Sequence, residues 1–149
     1  MFKHILVPID VHEADVASEA LDAALALANA FDGALRLIHV ASPIIAGSPM
    51  AVIPQSVYDE IGVYEKTQLD GMAAAIELPK GRVSTAVRIG GIYPEVLEEA
   101  LEWPADLIVV GAHRRSMATF LLGSTAAALS RHAKCTVMIV RSPLKAKIL

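Results

Sequence analysis

Apolar positions fall into two alternating rhythms along the chain. Five short apolar runs rich in branched residues, at 5–9, 35–40, 83–89, 107–110 and 136–140, predict strands. Between them the apolar residues recur at three and four positions, which predicts helices. The clearest helix covers 14–31, with Ala17, Ala20, Leu21, Ala24, Ala28 and Phe31 on one face, and Asp32-Gly33 ends it as a left-handed cap. A second, over 56–77, places Ile61, Tyr64, Met72 and Ile76 at helical spacing and stops at Leu78-Pro79. A third carries Pro94 in its first turn, buries Val96, Leu97, Ala100 and Leu101, and ends before Pro104. A fourth follows Gly123-Ser124 and reaches about His132, with Ser124 as its N-cap.

Strands that alternate with crossover helices must pair parallel, and parallel strands covered on both faces read as continuous apolar runs. The expected fold is therefore an α/β three-layer sandwich around a parallel sheet. With 149 residues, 54% of them hydrophobic, the chain has material for one core and too little for two ordinary domains, so residues 1–149 are expected to form one domain. No internal repeat, linker or low-complexity tract interrupts the pattern.

Charge and cysteine content narrow the function classes. A net charge of −3 leaves no basic excess to neutralise a nucleic-acid backbone, and apart from Arg114-Arg115 the 13 Lys and Arg are scattered, so no nucleic-acid partner is expected. The single cysteine, Cys135, leads into an apolar run and reads as a buried, inert thiol. The amino terminus enters a strand that contains Asp10, without the long apolar stretch and cleavage site of a signal peptide, and the expected compartment is the cytoplasm. The apolar loop at 41–54 is broken by Pro43, Gly47, Pro49 and Pro54 and falls short of the ~20 residues of a membrane-spanning helix. No membrane insertion is expected.

In an open parallel sheet, ligands settle outside the carboxyl ends of the strands where the strand order reverses. Strand one is followed by Pro8, Ile9, Asp10, Val11 and His12. Strand four is followed by Gly111, Ala112, His113, Arg114 and Arg115, and the loop closes on Gly123-Ser124-Thr125. Gly111 lets backbone approach a ligand, and the helix opened by Gly123-Ser124-Thr125 offers N–H groups with no internal partner, an end that attracts anions. Gly123-Ser124 taken alone also reads as a plain helix cap. Asp10 is either a turn residue after a strand or a carboxylate placed for ribose hydroxyls.

The opening Ile5-Leu6-Val7-Pro8-Ile9-Asp10, the strand-two end Ile38-His39-Val40 and the stretch 111–140 together resemble the universal stress protein family, over essentially the whole chain. The resemblance implies a Rossmann-like fold of the adenine nucleotide alpha-hydrolase type, a five-stranded parallel sheet in the order 3-2-1-4-5. Nucleotide-binding members carry glycine, two residues, glycine, nine residues, then glycine and Ser or Thr. Here Arg114 stands where the second glycine falls, and eight residues separate it from Gly123. The runs Gly111-Ala112-His113-Arg114, Leu121-Leu122-Gly123-Ser124 and Arg131-His132-Ala133 are nonetheless similar to an enteric-bacterial subgroup whose members also bind nucleotide. By that resemblance Asp10 contacts the ribose or adenine side. Pro8, Ile9 and Val40 line the base pocket, Val110 and Gly111 lie beneath ribose and phosphates, and Gly123, Ser124 and Thr125 take the phosphates. Arg114 either offers its guanidinium fork to phosphate or is a solvated loop arginine, and His113 either touches phosphate or has no ligand. His39 reads as packed or locally hydrogen-bonded.

Neither a Walker loop nor a dinucleotide fingerprint is present, and Gly90-Gly91 reads as a tight turn near the ribose. The five histidines and one cysteine show no metal-ligand spacing, so no resident metal is expected, and magnesium would arrive on the phosphates of ATP, ADP or AMP. No catalytic residues can be named for rapid phosphoryl transfer. The expected function is thus an ATP-binding stress-response regulator, acting on a protein partner and dimerising through the edge strand Thr136–Val140. A slow ATPase or self-modifying enzyme, and an interaction module without nucleotide, are the alternatives.

Overall fold

The computed structural model describes residues 1–42, 54–112 and 122–142. His113, Arg114 and Arg115, and most of the carboxyl-terminal tail, lie outside the described residues. In chain order the elements are β1 (His4–Pro8), a 3₁₀ turn (Ala14–Ala17), α1 (Ser18–Phe31), β2 (Ala34–Ala41), α2 (Gln55–Ala74), β3 (Val83–Ile89), α3 (Ile92–Glu102), β4 (Leu107–Gly111), α4 (Ser124–His132) and β5 (Thr136–Val140).

Among the described residues the strands form one sheet, ordered β3-β2-β1-β4-β5 and parallel throughout, as the sequence predicts. Strand alternation divides the apolar side chains between two cores. Ile5, Val7, Leu35, Leu37, Leu107 and Val109 pack with Ala20, Ala24, Ala28 and Leu69 under α1 and α2. Leu6, Ile38, Ile108 and Val110 pack with Val96, Ala126 and Leu129 under α3 and α4. The small alanines of α1 let that helix lie close on the sheet. β1 is paired with β2 on one side and β4 on the other, so the chain reverses direction across the sheet between those two strands.

Several local expectations change. The predicted first helix begins as the 3₁₀ turn and becomes α-helical only at Ser18. It ends in the predicted left-handed cap, with Asp32 as the left-handed residue (φ 54°, ψ 44°). Gly33 is needed for another reason, since a Cβ there would stand 2.5 Å from the Phe2 carbonyl oxygen. α2 ends at Ala74 and buries Glu65 and Leu69, while Tyr64 is exposed. In α3, Leu101 is exposed and Glu99 is buried in its place among arginines. Gly123, extended at φ −60° and ψ 152°, is the N-cap of α4, and Ser124 is its first helical residue with no side-chain cap, which corrects the expected cap.

Candidate functional site

The reversal of strand order opens a crevice at the carboxyl ends of β1 and β4. Its wall includes Pro8, Ile9 and Asp10 after β1, Val40 at the end of β2, Val110 and Gly111 at the end of β4, and Gly123, Ser124 and Thr125 at the start of α4. Nine residues singled out from sequence are therefore brought to one cavity. His113 and Arg114, the remaining two, lie outside the described residues.

Backbone hydrogen bonds hold this arrangement. Ile9 N–H donates to the Ile38 carbonyl at 2.8 Å, which carries the chain after β1 along the end of β2. Ala112 N–H donates to Val140 at 2.8 Å, and Gly123 N–H donates to Ala112 at 2.6 Å, which fixes the start of α4 beside the end of β4. Among the described residues no side chain caps α4, and the first-turn amides of Ser124, Thr125 and Ala126 stand at the cavity wall. The macrodipole adds a partial positive charge at the same point. Among the described residues a Cβ on Gly111 would meet only the Val16 carbonyl oxygen, at 3.7 Å, so packing against them does not require glycine there.

The cavity also uses residues the sequence reading passed over. Glu13, Val16 and Ala17 reach it from the 3₁₀ turn, Ile38 and His39 from β2, and Ile92 and Val96 from α3. The 3₁₀ turn was hidden because its apolar residues continue the α1 rhythm. Ile38 and Val96 look in sequence like ordinary core positions. Gly90 and Gly91 do not line the cavity: Gly90 turns the chain (φ 154°) and Gly91 caps α3.

Beside this cavity the fold assembles a polar cluster that residue spacing did not show. His39 is buried, with Nδ1 3.0 Å from the Ile9 carbonyl oxygen and 3.3 Å from the Val11 amide nitrogen. Its Nε2 lies 3.0 Å from Oε2 of buried Glu65, and Nε2 of His12 lies 3.1 Å from Oε1 of the same carboxylate. Asp10 Oδ1 accepts the His12 N–H at 2.9 Å. The histidines show no metal-ligand spacing in the sequence, but crossover connections bring residues 12, 39 and 65 to one corner. Elsewhere, Cys135 is only partly buried, where the sequence predicts a buried thiol, and that burial raises its pKa, with the nearby Asp106 charge adding to the rise.

The sequence profile described as the universal stress protein family matches residues 1–141. The chain belongs to the universal stress protein family. Universal stress protein G of Salmonella typhimurium is 32% identical over 143 residues, covering 95% of this chain and 100% of the relative. Among solved structures, universal stress protein UspA from Lactobacillus plantarum superposes with a TM-score of 0.76 at 25% identity, covering 94% of this chain and 98% of that one. A universal stress protein from Archaeoglobus fulgidus in complex with dAMP has a TM-score of 0.65 at 19% identity, with 94% and 98% of the two chains covered. At that identity the likeness is one of fold. Among the described residues of this universal stress protein, no helix is long and apolar enough to cross a membrane.

Proposed function

We propose that this family member binds an adenine nucleotide in the crevice between β1 and β4 and acts as a nucleotide-dependent regulator. The observation that carries the reading is the convergence of two unlike surfaces on one cavity. Apolar Pro8, Ile9, Val40 and Val110 offer a dry wall for a base, and the uncapped start of α4 offers backbone donors for an anion. Asp10 and Glu13 supply carboxylates on the same wall, acceptors for ribose hydroxyls. The dAMP complex of the same fold agrees in ligand class, but the proposal stands on the cavity itself.

Several charge-assisted bonds of about 1.5–3 kcal/mol each can hold a polyphosphate on such a helix end without a lysine. ATP is the preferred ligand, with Gly111, Gly123, Ser124 and Thr125 along its phosphates and magnesium carried by the phosphates. His113 and Arg114 follow β4 in sequence and are assigned to the same phosphates. Residues 1–149 act as one domain, in the cytoplasm, and occupancy of the crevice changes a surface that a protein partner reads. Binding is favoured over rapid turnover.

The test is calorimetric titration of nucleotide-free protein with ATP, ADP, AMP and adenosine, with and without magnesium, beside mass spectrometry of any small molecule retained through purification. Binding of ATP at one site per chain, weakened more for ATP than for adenosine by Arg114→Ala, is the expected result. Indifference to all four compounds would overturn the reading.

A further inference from the structure

We propose that His12, His39 and Glu65, with Asp10 at the rim, form a site for one divalent transition-metal ion of the zinc class. The residues come from three separate places: the loop after β1, the end of β2, and the middle of α2. Ligand-capable atoms of Asp10, His12 and His39 all lie within 4.8 Å of one another. Glu65 reaches between the two rings, with its oxygens 3.1 Å from His12 Nε2 and 3.0 Å from His39 Nε2.

The deciding detail lies in the buried half of this group. His39 Nε2 and Glu65 Oε2 are both shielded from solvent, and neither has a hydrogen-bond partner of acceptable geometry, although they are 3.0 Å apart. A buried carboxylate normally finds a donor or a cation, because leaving it bare is costly. Among the described residues the basic side chains at ion-pair distance from Glu65 are these two histidines, with no lysine or arginine.

His39 Nδ1 stands 3.0 Å from the Ile9 carbonyl oxygen, to which it can donate, and 3.3 Å from the Val11 N–H, which donates to it, so the tautomer decides which of the two bonds forms. When it donates to Ile9, the Nε2 of the neutral ring presents a lone pair to a carboxylate oxygen. Two lone pairs in that position repel unless a proton or a cation lies between them. A metal ion reconciles the short distance with the poor alignment. Two ligands at about 2.0–2.2 Å from zinc stand about 3.3 Å apart, with their lone pairs meeting at a point off the line that joins them. The backbone carbonyl that holds His39 Nδ1 is also the outer partner a metal-bound imidazole ordinarily has. Two imidazoles and carboxylates suit zinc, cobalt or nickel better than magnesium or calcium.

His12 is the adjustable member, with a side chain 60% exposed, and Asp10 is exposed as well. Both stand on the solvent side of the cluster, and His39 and Glu65 form its buried side. His39 and Asp10 also line the nucleotide crevice, so an ion here would fasten α2 to β1 and β2 along the wall of that cavity.

The experiment uses the full chain, treated with chelator and freed of nucleotide, so that its outcome does not depend on nucleotide binding. Zn²⁺ titration by calorimetry is expected to give one ion per chain. Co²⁺ is expected to develop the visible absorption of a low-symmetry N/O site and to lose it when Zn²⁺ is added. His12→Asn and Glu65→Gln should each weaken Zn²⁺ binding about tenfold or more, whereas His132→Ala, remote from the cluster, should leave it unchanged. Failure of the wild-type chain to take up either ion would overturn the proposal, leaving the trio as an ion-pair network only. So would affinity unaltered in His12→Asn. That variant changes an exposed side chain and decides the matter even if Glu65→Gln does not fold.

Discussion

The backbone N–H of Gly123 donates to the carbonyl of Ala112 at 2.6 Å, so the chain that leaves β4 returns to the same point before α4 begins. This closure aims the first turn of α4 at the crevice and needs nothing from a side chain. The Gly123 backbone is extended, a conformation a branched residue adopts readily. Gly123→Val should therefore leave the fold intact by circular dichroism while placing methyl groups at the phosphate approach. ATP affinity is expected to fall at least about tenfold, or about 1.4 kcal/mol. Unchanged affinity by calorimetry would remove α4 from the site.

Gly111, at the end of β4 next to the start of α4, supports a second test. Since, among the described residues, a Cβ there meets only the Val16 carbonyl oxygen at 3.7 Å, Gly111→Ala should be nearly neutral for thermal stability. If a ligand passes over this backbone, the same methyl group should weaken ATP binding several-fold. Loss of stability with no loss of affinity would instead make Gly111 a packing glycine.

Much of this arrangement is legible in the sequence because parallel strands are buried on both faces. Leu107 to Val110 is fully apolar for that reason, and Gly111 then marks where the strand ends and a ligand can approach. Helix faces are less legible where a charged residue is buried. The apolar spacing puts Tyr64 and Leu101 on the inner faces of α2 and α3, yet both are exposed, and the neighbouring Glu65 and Glu99 are buried against imidazoles or arginines from other elements. Such partners are distant in sequence and no periodicity reveals them. The same blindness hid the pairing of His12 with Glu65.

Glu99 gives a stability prediction. Its carboxylate accepts from Arg36 at 2.7 Å and from Arg88 at 2.9 Å, and Arg36 also lies 4.7 Å over the Trp103 ring. The Arg88 guanidinium is held firmly charged by Glu95 first, then by Glu102 and Glu99. Glu99→Ala would leave two guanidinium groups facing each other with their shared anion gone. A loss of about 3 kcal/mol in urea unfolding is expected. Lys66→Ala, which breaks an exposed pair with Asp70, should cost under about 1 kcal/mol.

Asp70 carries a pH dependence of definite sign. Its carboxyl is held below the usual 3.8 chiefly by the hydrogen bond from Lys66, then by that from Thr85 of β3. Because the folded-state value is the lower one, the stabilisation is complete above 3.8 and fades as pH falls through the folded value. Wild type should exceed Asp70→Asn in stability near neutral pH, with the gap closing in acid below pH 3.8. Since the Asp70 side chain is half exposed, the effect should be small and should shrink further in salt. A gap that widens on acidification would contradict the assignment.

The outer edge of β5 bears on assembly. Thr136–Val140 pairs with β4 on one side, and on its other side no strand pairs with it among the described residues. Val137 and Ile139 pack toward one core and Met138 and Val140 toward the other, yet all four remain partly exposed, unlike Leu107 to Val110 next to them. An apolar edge strand left open invites uncontrolled pairing, and a second copy of the chain would cover it. Light scattering is expected to give a mass near twice 15.8 kDa. If the second copy is the cover, a chain ended after Ser142 should keep that mass. If the carboxyl-terminal tail is the cover, the full chain should be monomeric and the shortened one should aggregate.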